Sequence, residues 1–221
     1  MCSKPIKAVN RTANFFFLLL FAFCSLNNVS GWQEIVDRIV AVVNEEVITL
    51  TDLHLVKTFG LYKSPDDEHE VDVHRHILDQ LINRKLVIQI TSEGIILEEE
   101  EIESALNQII QRMEPGEAEK ALLRFGLDWD DLKSYIHEKL LYQKIISKRF
   151  DQGIFVRLEE IEAYYEQIYI PGQRAKGLEP QPLTEMLDQI EREIKRGKKE
   201  TQVREWVNNL KREANIQIKA P

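Results

Sequence analysis

Cysteine is nearly absent from this chain of 221 residues. Only Cys2 and Cys24 occur, and both lie in a leader-like segment at the N-terminus. The chain beyond that segment therefore has no thiol, which excludes disulfides, thiolate metal sites and cysteine nucleophiles. Glycine-rich phosphate loops, nucleophile elbows and Ser/His/Asp constellations are also missing from the sequence. Long apolar runs are lacking too. Phe15 to Leu26 is about a dozen mainly apolar residues, too short to span a bilayer comfortably as a permanent anchor. Positive charge is the scarcer sign, with 29 basic against 37 acidic residues. Three of the basic ones precede Trp32 and no acidic one does, so the remainder carries 26 against 37, a formal charge of −11. An acidic surface of that size argues against nucleic acid and anionic membrane as main partners.

The first 31 residues have the layout of a secretory signal peptide. Lys4, Lys7 and Arg11 form a positive start, the apolar run follows, and Val29-Ser30-Gly31 offers small residues for cleavage near Gly31. An uncleaved anchor and lipidation at Cys24 are the alternatives. Phe23 counts against lipidation because it stands where lipoprotein signals usually carry a small residue. The 190 residues beyond Gly31 are enough for one good hydrophobic core or two small ones.

Those residues open with a β-ribbon. Ile39 to Val43 is mostly β-branched, Asn44-Glu45-Glu46 makes a polar turn, and Val47-Ile48 resumes the apolar pattern. Thr49, three residues before Asp52, signals a helix start, with Thr51 as a second cap candidate. A lone hairpin is marginal in water and needs a further strand or a helical layer. Helical periodicity then predominates, over Thr51–Tyr62 and through Ile77, Leu81, Ile82, Leu86 and Ile90. A second long pattern runs from Glu98 to Met113, and a short one to Phe125, closed by Gly126. Asp128 caps a long helix to Ile146, and Arg157–Tyr169 is another. Ile170 to Pro182 holds three prolines and two glycines in thirteen residues, which predicts a loop or linker. Two helices are expected beyond it, Leu183–Arg196 and Glu200–Ala214, separated by Gly197. Asn215 to Lys219 alternates polar and apolar residues, so it is the natural strand to complete the hairpin's sheet. The expected fold class is mainly α: a helical module with a small sheet built from the N-terminal hairpin and the C-terminal strand.

The segments VDRIVAVVNEEVITLTDL, ILDQLINRKLVIQ and LLRFGLDWDDLKSYIHEKLLYQKII, in this order, resemble the N-terminal domain of the SurA family of periplasmic chaperones. The tail WVNNLKREANIQI resembles the same family's C-terminal helix and strand. The resemblance implies a signal peptide over 1–31, a chaperone domain over 32–169, and C-terminal helices and strand over 183–221 that pack back on it. Between them, at 170–182, family members usually carry parvulin-type prolyl isomerase domains. Thirteen residues cannot hold a domain of about a hundred, so isomerase activity is not carried over. What remains implied is a periplasmic, ATP-independent holdase without cofactor or catalysis. Its partners are unfolded or partly folded polypeptides, outer-membrane or secreted proteins. Nucleic acid and stable membrane insertion after signal cleavage are not expected. The alternative is a non-catalytic assembly or interaction subunit for one dedicated envelope partner.

His69 and His74 flank a Glu/Asp-bearing segment, but five residues apart they sit about 140° apart on a helix, unlike a zincin pair. No metal site is expected there; a metal-dependent activity at His69–His76 is the only enzymatic alternative. Glu98 to Glu101 read as a solvated helix start, favourable to the helix dipole. Aromatic side chains suit a client-binding groove because they give large contact area at low entropy cost. The peptide-binding candidates are Phe125, Trp129, Tyr135, Tyr142, Tyr164, Tyr165 and Tyr169. Filling the core is the competing role for each of them. Tyr164 and Tyr165 stand out, because adjacent helical residues about 100° apart cannot both face one narrow stripe.

Overall fold

The computed structural model describes residues 37–64, 72–91 and 94–219. The expected signal peptide, Pro65 of the expected break and His69 lie outside these residues. The hairpin forms as the pattern requires. Strand β1 (Ile39–Val43) pairs antiparallel with β2 (Glu46–Thr49), with Val42 opposite Val47 and Ala41 opposite Ile48. The turn needs a left-handed residue, and Asn44 supplies it at φ 55°. Strand β3 (Ile216–Ile218) pairs antiparallel with β1, giving the order β2-β1-β3. Asn44 also clasps the two ends of this unit. Its N–H donates to Asn215 O at 2.8 Å, and Asn215 N–H donates back to Asn44 Oδ1 at 3.0 Å.

Helix α1 (Leu50–Thr58) begins at Thr49 with a reciprocal cap. Asp52 N–H donates to Thr49 Oγ1 at 3.3 Å, and Thr49 N–H donates to Asp52 Oδ2 at 2.7 Å. Helices α2 (Val73–Thr91), α3 (Glu99–Ile110), α4 (Glu117–Phe125) and α5 (Trp129–Phe150) follow. Gly126, at φ 69°, ends α4 in the left-handed conformation that lets Leu127 N–H return to Leu122 O. Asp128 caps α5 by accepting from the Asp130 and Asp131 N–H groups. The glutamates at the start of α3 face α5: Glu101 pairs with Lys144 at 2.6 Å, and Glu99 with Lys133 at 3.8 Å. Both pairs are solvent-exposed and screened, so they add little to stability.

Two of the predicted elements differ from expectation. Ile170–Pro182 is not wholly a linker. Helix α6 (Leu158–Tyr164) runs through a π-helical turn (Tyr165–Tyr169) into α7 (Ile170–Ala175), and only the residues after it are irregular. Pro171 gives the reason. A proline inside a regular helix lacks the N–H and crowds the carbonyl four residues earlier. The wider turn before it, with Ile170 N–H bonded to Tyr165 O, relieves that conflict and lets the helix continue. Gly197 likewise fails to separate two helices. One helix, α8, spans Leu183–Glu213 without a break. A single glycine costs about 1 kcal/mol in a helix, too little to break one that is packed at both ends.

That packing organises the molecule. The main core unites the sheet with α1 to α5 around fully buried Ile48, Leu55, Leu86, Leu132 and Ile145. The C-terminal part of α8 joins it through Val207 and Leu210. The N-terminal part of α8 packs instead on α6, in a smaller cluster of Ile161, Met186 and Ile190. Gly197 lies between the two contacts, and a Cβ added there meets nothing within 4 Å. Gly197→Ala is therefore expected to stabilise the protein by about 0.5–1 kcal/mol in urea denaturation. The fold is mainly α with a small three-stranded sheet. No helix among the described residues is long and apolar enough to cross a membrane.

Candidate functional site: a cleft between the long helices

Helix α2 packs against both α5 and α8, and the three do not close completely. They leave a cleft in two connected parts that share Lys63, Asn83 and Tyr142. The inner part, about 440 Å³, is lined by Leu61, Tyr62, Arg84 and Lys139. The outer part, about 740 Å³, has an apolar wall of Tyr142, Ile146, Val203 and Val207. Its rim is charged, with Arg196, Lys199, Arg204 and Glu200. Several of these rim charges are held in place. Lys63 pairs with Glu200 at 2.9 Å, Arg196 with Glu193 at 2.5 Å, and Lys199 with Asp151.

Arg84 is the unusual residue of the inner part. It occupies the apolar stripe of α2, one turn after Leu81 and just before Leu86 and Val87, and is only 4% exposed. Its Nη2 donates to Leu61 O at 2.9 Å, tying the chain after α1 to the helix. Among the described residues its Nη1 has no hydrogen-bond partner, and neither has Asn83 Oδ1 beside it in sequence, although both atoms are buried. Burial pulls the Arg84 guanidinium below its ordinary range, with Glu138 and Tyr142 opposing the shift. Lys139 is lowered by burial and by the like charges of Arg84 and Arg112. Burial raises the Tyr142 phenol.

The aromatic candidates do not gather on one surface. Tyr142 alone lines both parts of the cleft. Phe125 is half-buried against the main core and stacks on His54 at 6.3 Å, while Trp129 starts α5 at 37% exposure. Tyr135 is half-buried, and its hydroxyl donates to Asp52 Oδ1, the carboxylate oxygen that the α1 cap leaves free. Tyr164, Tyr165 and Tyr169 belong to the smaller cluster. Tyr165 stacks on Tyr169 at 5.4 Å and its hydroxyl donates to Gln181 O at 2.7 Å, so the pair holds the irregular segment before α8. Exposed apolar side chains on that side are Phe155, Leu158, Ile168 and Leu178. His76 Nε2 lies 2.8 Å from Lys63 O and 2.7 Å from Gln80 Nε2, and His74 rests edge-on against His54.

Sequence reasoning passed over Asn83, Arg84, Val203 and Val207 as site residues. The signal for Arg84 was present: an arginine on the buried stripe of an amphipathic helix demands an unusual partner. Val203 and Val207 lie on the apolar face expected of a C-terminal helix, but the local pattern does not reveal which surface that face meets.

Burial and the Asp52 bond raise the Tyr135 phenol well above its ordinary value. A raised folded-state value means its stabilisation is intact below about pH 10 and is lost as pH rises beyond it. Denaturation at pH 8 and pH 11 should therefore show a drop in wild-type stability that Tyr135→Phe partly abolishes. At pH 8 the same variant should cost about 1–2 kcal/mol.

The profile of the SurA N-terminal domain matches residues 36–146. Among curated relatives, Chaperone SurA of Legionella pneumophila (strain Paris) is 24% identical over 139 residues, covering 60% of this chain and 32% of the relative. Chaperone SurA of Bordetella avium is 26% identical over 145 residues, covering 61% and 28%. Chaperone SurA of Pseudomonas fluorescens is 26% identical over 136 residues, covering 58% and 32%. The chain thus spans about a third of the length of the curated relatives it matches. The profile match takes in the hairpin, α1 to α4 and most of α5, and with them Asn83, Arg84, Lys139 and Tyr142. The chain that carries this hairpin-capped helical body and its cleft belongs to the SurA N-terminal domain family.

Proposed function

We propose that this chain is an ATP-independent chaperone of the cell envelope that holds unfolded or partly folded outer-membrane or secreted polypeptides, without prolyl isomerase activity. The observation that carries the reading is the cleft. Half-buried Tyr142 and Val203, seated over buried Ile146 and Val207, offer apolar surface to client side chains, and the charged rim around it keeps such a surface soluble. Non-covalent holding of an extended segment needs no catalytic group, only apolar area and protection from self-association. The names of the relatives support the same reading, and the signal-like N-terminus supports the location. The reading without isomerase activity rests on the thirteen residues at 170–182, occupied by α7 and a short irregular segment. Among the aromatic candidates, Tyr142 is the one this reading places against the client. Tyr164, Tyr165 and Tyr169 act by fixing the smaller cluster.

The purified protein should suppress aggregation of a chemically unfolded outer-membrane protein at a few-fold molar excess, without ATP. It should leave the cis–trans exchange of a proline-containing peptide at its uncatalysed rate. Failure to suppress aggregation would overturn the holding role; acceleration of the exchange would overturn the non-catalytic one.

A further inference from the structure

The inner part of the cleft holds more than apolar surface. In an acidic protein it gathers Arg84 and Lys139 around one hollow, with Lys63 at its edge paired to Glu200, and among the described residues none that lines it is a carboxylate. The carboxylate that acts on Arg84, Glu138, also faces Lys85, at 3.8 Å. Arg84 is only 4% exposed, yet among the described residues its Nη1 has no partner. A guanidinium N–H buried without an acceptor is costly, and the group best matched to it is a carboxylate. Asn83 Oδ1, the other unpartnered atom here, is an acceptor and is suited to a main-chain N–H.

We propose that the inner cleft is a carboxylate site, in which Arg84 and Lys139 take the carboxylate of a bound peptide, from its C-terminus or from an acidic side chain. The proposal rests on the client-holding reading of the same cleft. It adds a polar anchor to the apolar wall: the hydrophobic residues of a client lie against Tyr142 and Val203, and its negative charge fixes the register. An anion beside Lys139 offsets both its desolvation and the repulsion from Arg84.

The test uses three N-dansyl peptides of Leu, Tyr, Ser and Gly. One has a free C-terminal carboxylate, one is amidated, and one is amidated with a single internal Glu. Fluorescence titration should show the free-carboxylate peptide, the Glu peptide, or both binding about tenfold more tightly than the uncharged amide. A preference for the free terminus alone identifies chain ends as the source; an equal gain with internal Glu identifies acidic side chains. Arg84→Gln and Lys139→Gln should each remove most of the preference. Arg84 also anchors Leu61 O, so Lys139→Gln carries the test if Arg84→Gln does not fold. Equal affinity of all three peptides, with aggregation suppression intact, would overturn the carboxylate site and leave the holding role standing. Absence of binding by every peptide, together with loss of aggregation suppression, would overturn both.

Discussion

Leu210→Asp is expected to destabilise the protein by about 3–5 kcal/mol, the cost of burying a carboxylate without a partner. Leu210 is 8% exposed and lies in the main core, together with residues of the hairpin and of α1 to α5. The substitution therefore strikes the seam where the C-terminal part of α8 meets the N-terminal body. Because β3 follows α8 directly and is clasped by Asn44, loosening this seam also loosens the third strand. Urea denaturation followed by far-ultraviolet circular dichroism should show the midpoint falling sharply across the whole transition. Leu210→Ala, which leaves a cavity but no charge, should cost less. If Leu210→Asp were nearly neutral, the C-terminal helix would not be part of the main core.

Ile190→Ala should cost about 2–5 kcal/mol locally, because Ile190 is 1% exposed and the smaller cluster has few other buried residues to compensate. Its consequence differs from that of Leu210→Asp. The smaller cluster contains Ile161, Met186 and Ile190, with Tyr164, Tyr165 and Tyr169 packed around it, and none of these belongs to the main core. Amide exchange should therefore accelerate over α6, α7 and the N-terminal part of α8 while β1, α2 and α5 keep their protection. Uniform loss of protection would show that the two clusters unfold as one unit.

Elements with a local cause were legible in the sequence. The Thr49–Asp52 cap, the Asp128 cap and the glycine that ends α4 each act within a few residues, and each is found where the pattern places it. The third strand was legible for another reason, since an unpaired hairpin demands a partner and only one terminal alternating stretch was on offer. The misread elements share one origin. Pro171 and Gly197 are helix breakers by propensity, and tertiary packing overrode both, through a π turn in one case and two-ended burial of α8 in the other. Val203 and Val207 were legible as the apolar face of a C-terminal helix returning to the body, but their meeting with Tyr142 is set by tertiary packing. Of the two tyrosines singled out for their crowding on one helix, Tyr165 stacks on Tyr169 and donates to Gln181 O.

The surface that holds clients can be located directly by photocrosslinking to a chemically unfolded outer-membrane protein. A benzoylphenylalanine at Gln143, an exposed residue of the inner cleft, is compared with one at Phe155, which is 82% exposed and precedes Val156 of the smaller cluster. If the cleft between α2, α5 and α8 is the client site, position 143 yields strong crosslinks that excess unlabelled client removes, and position 155 yields few. Strong crosslinks at 155 with none at 143 would contradict it.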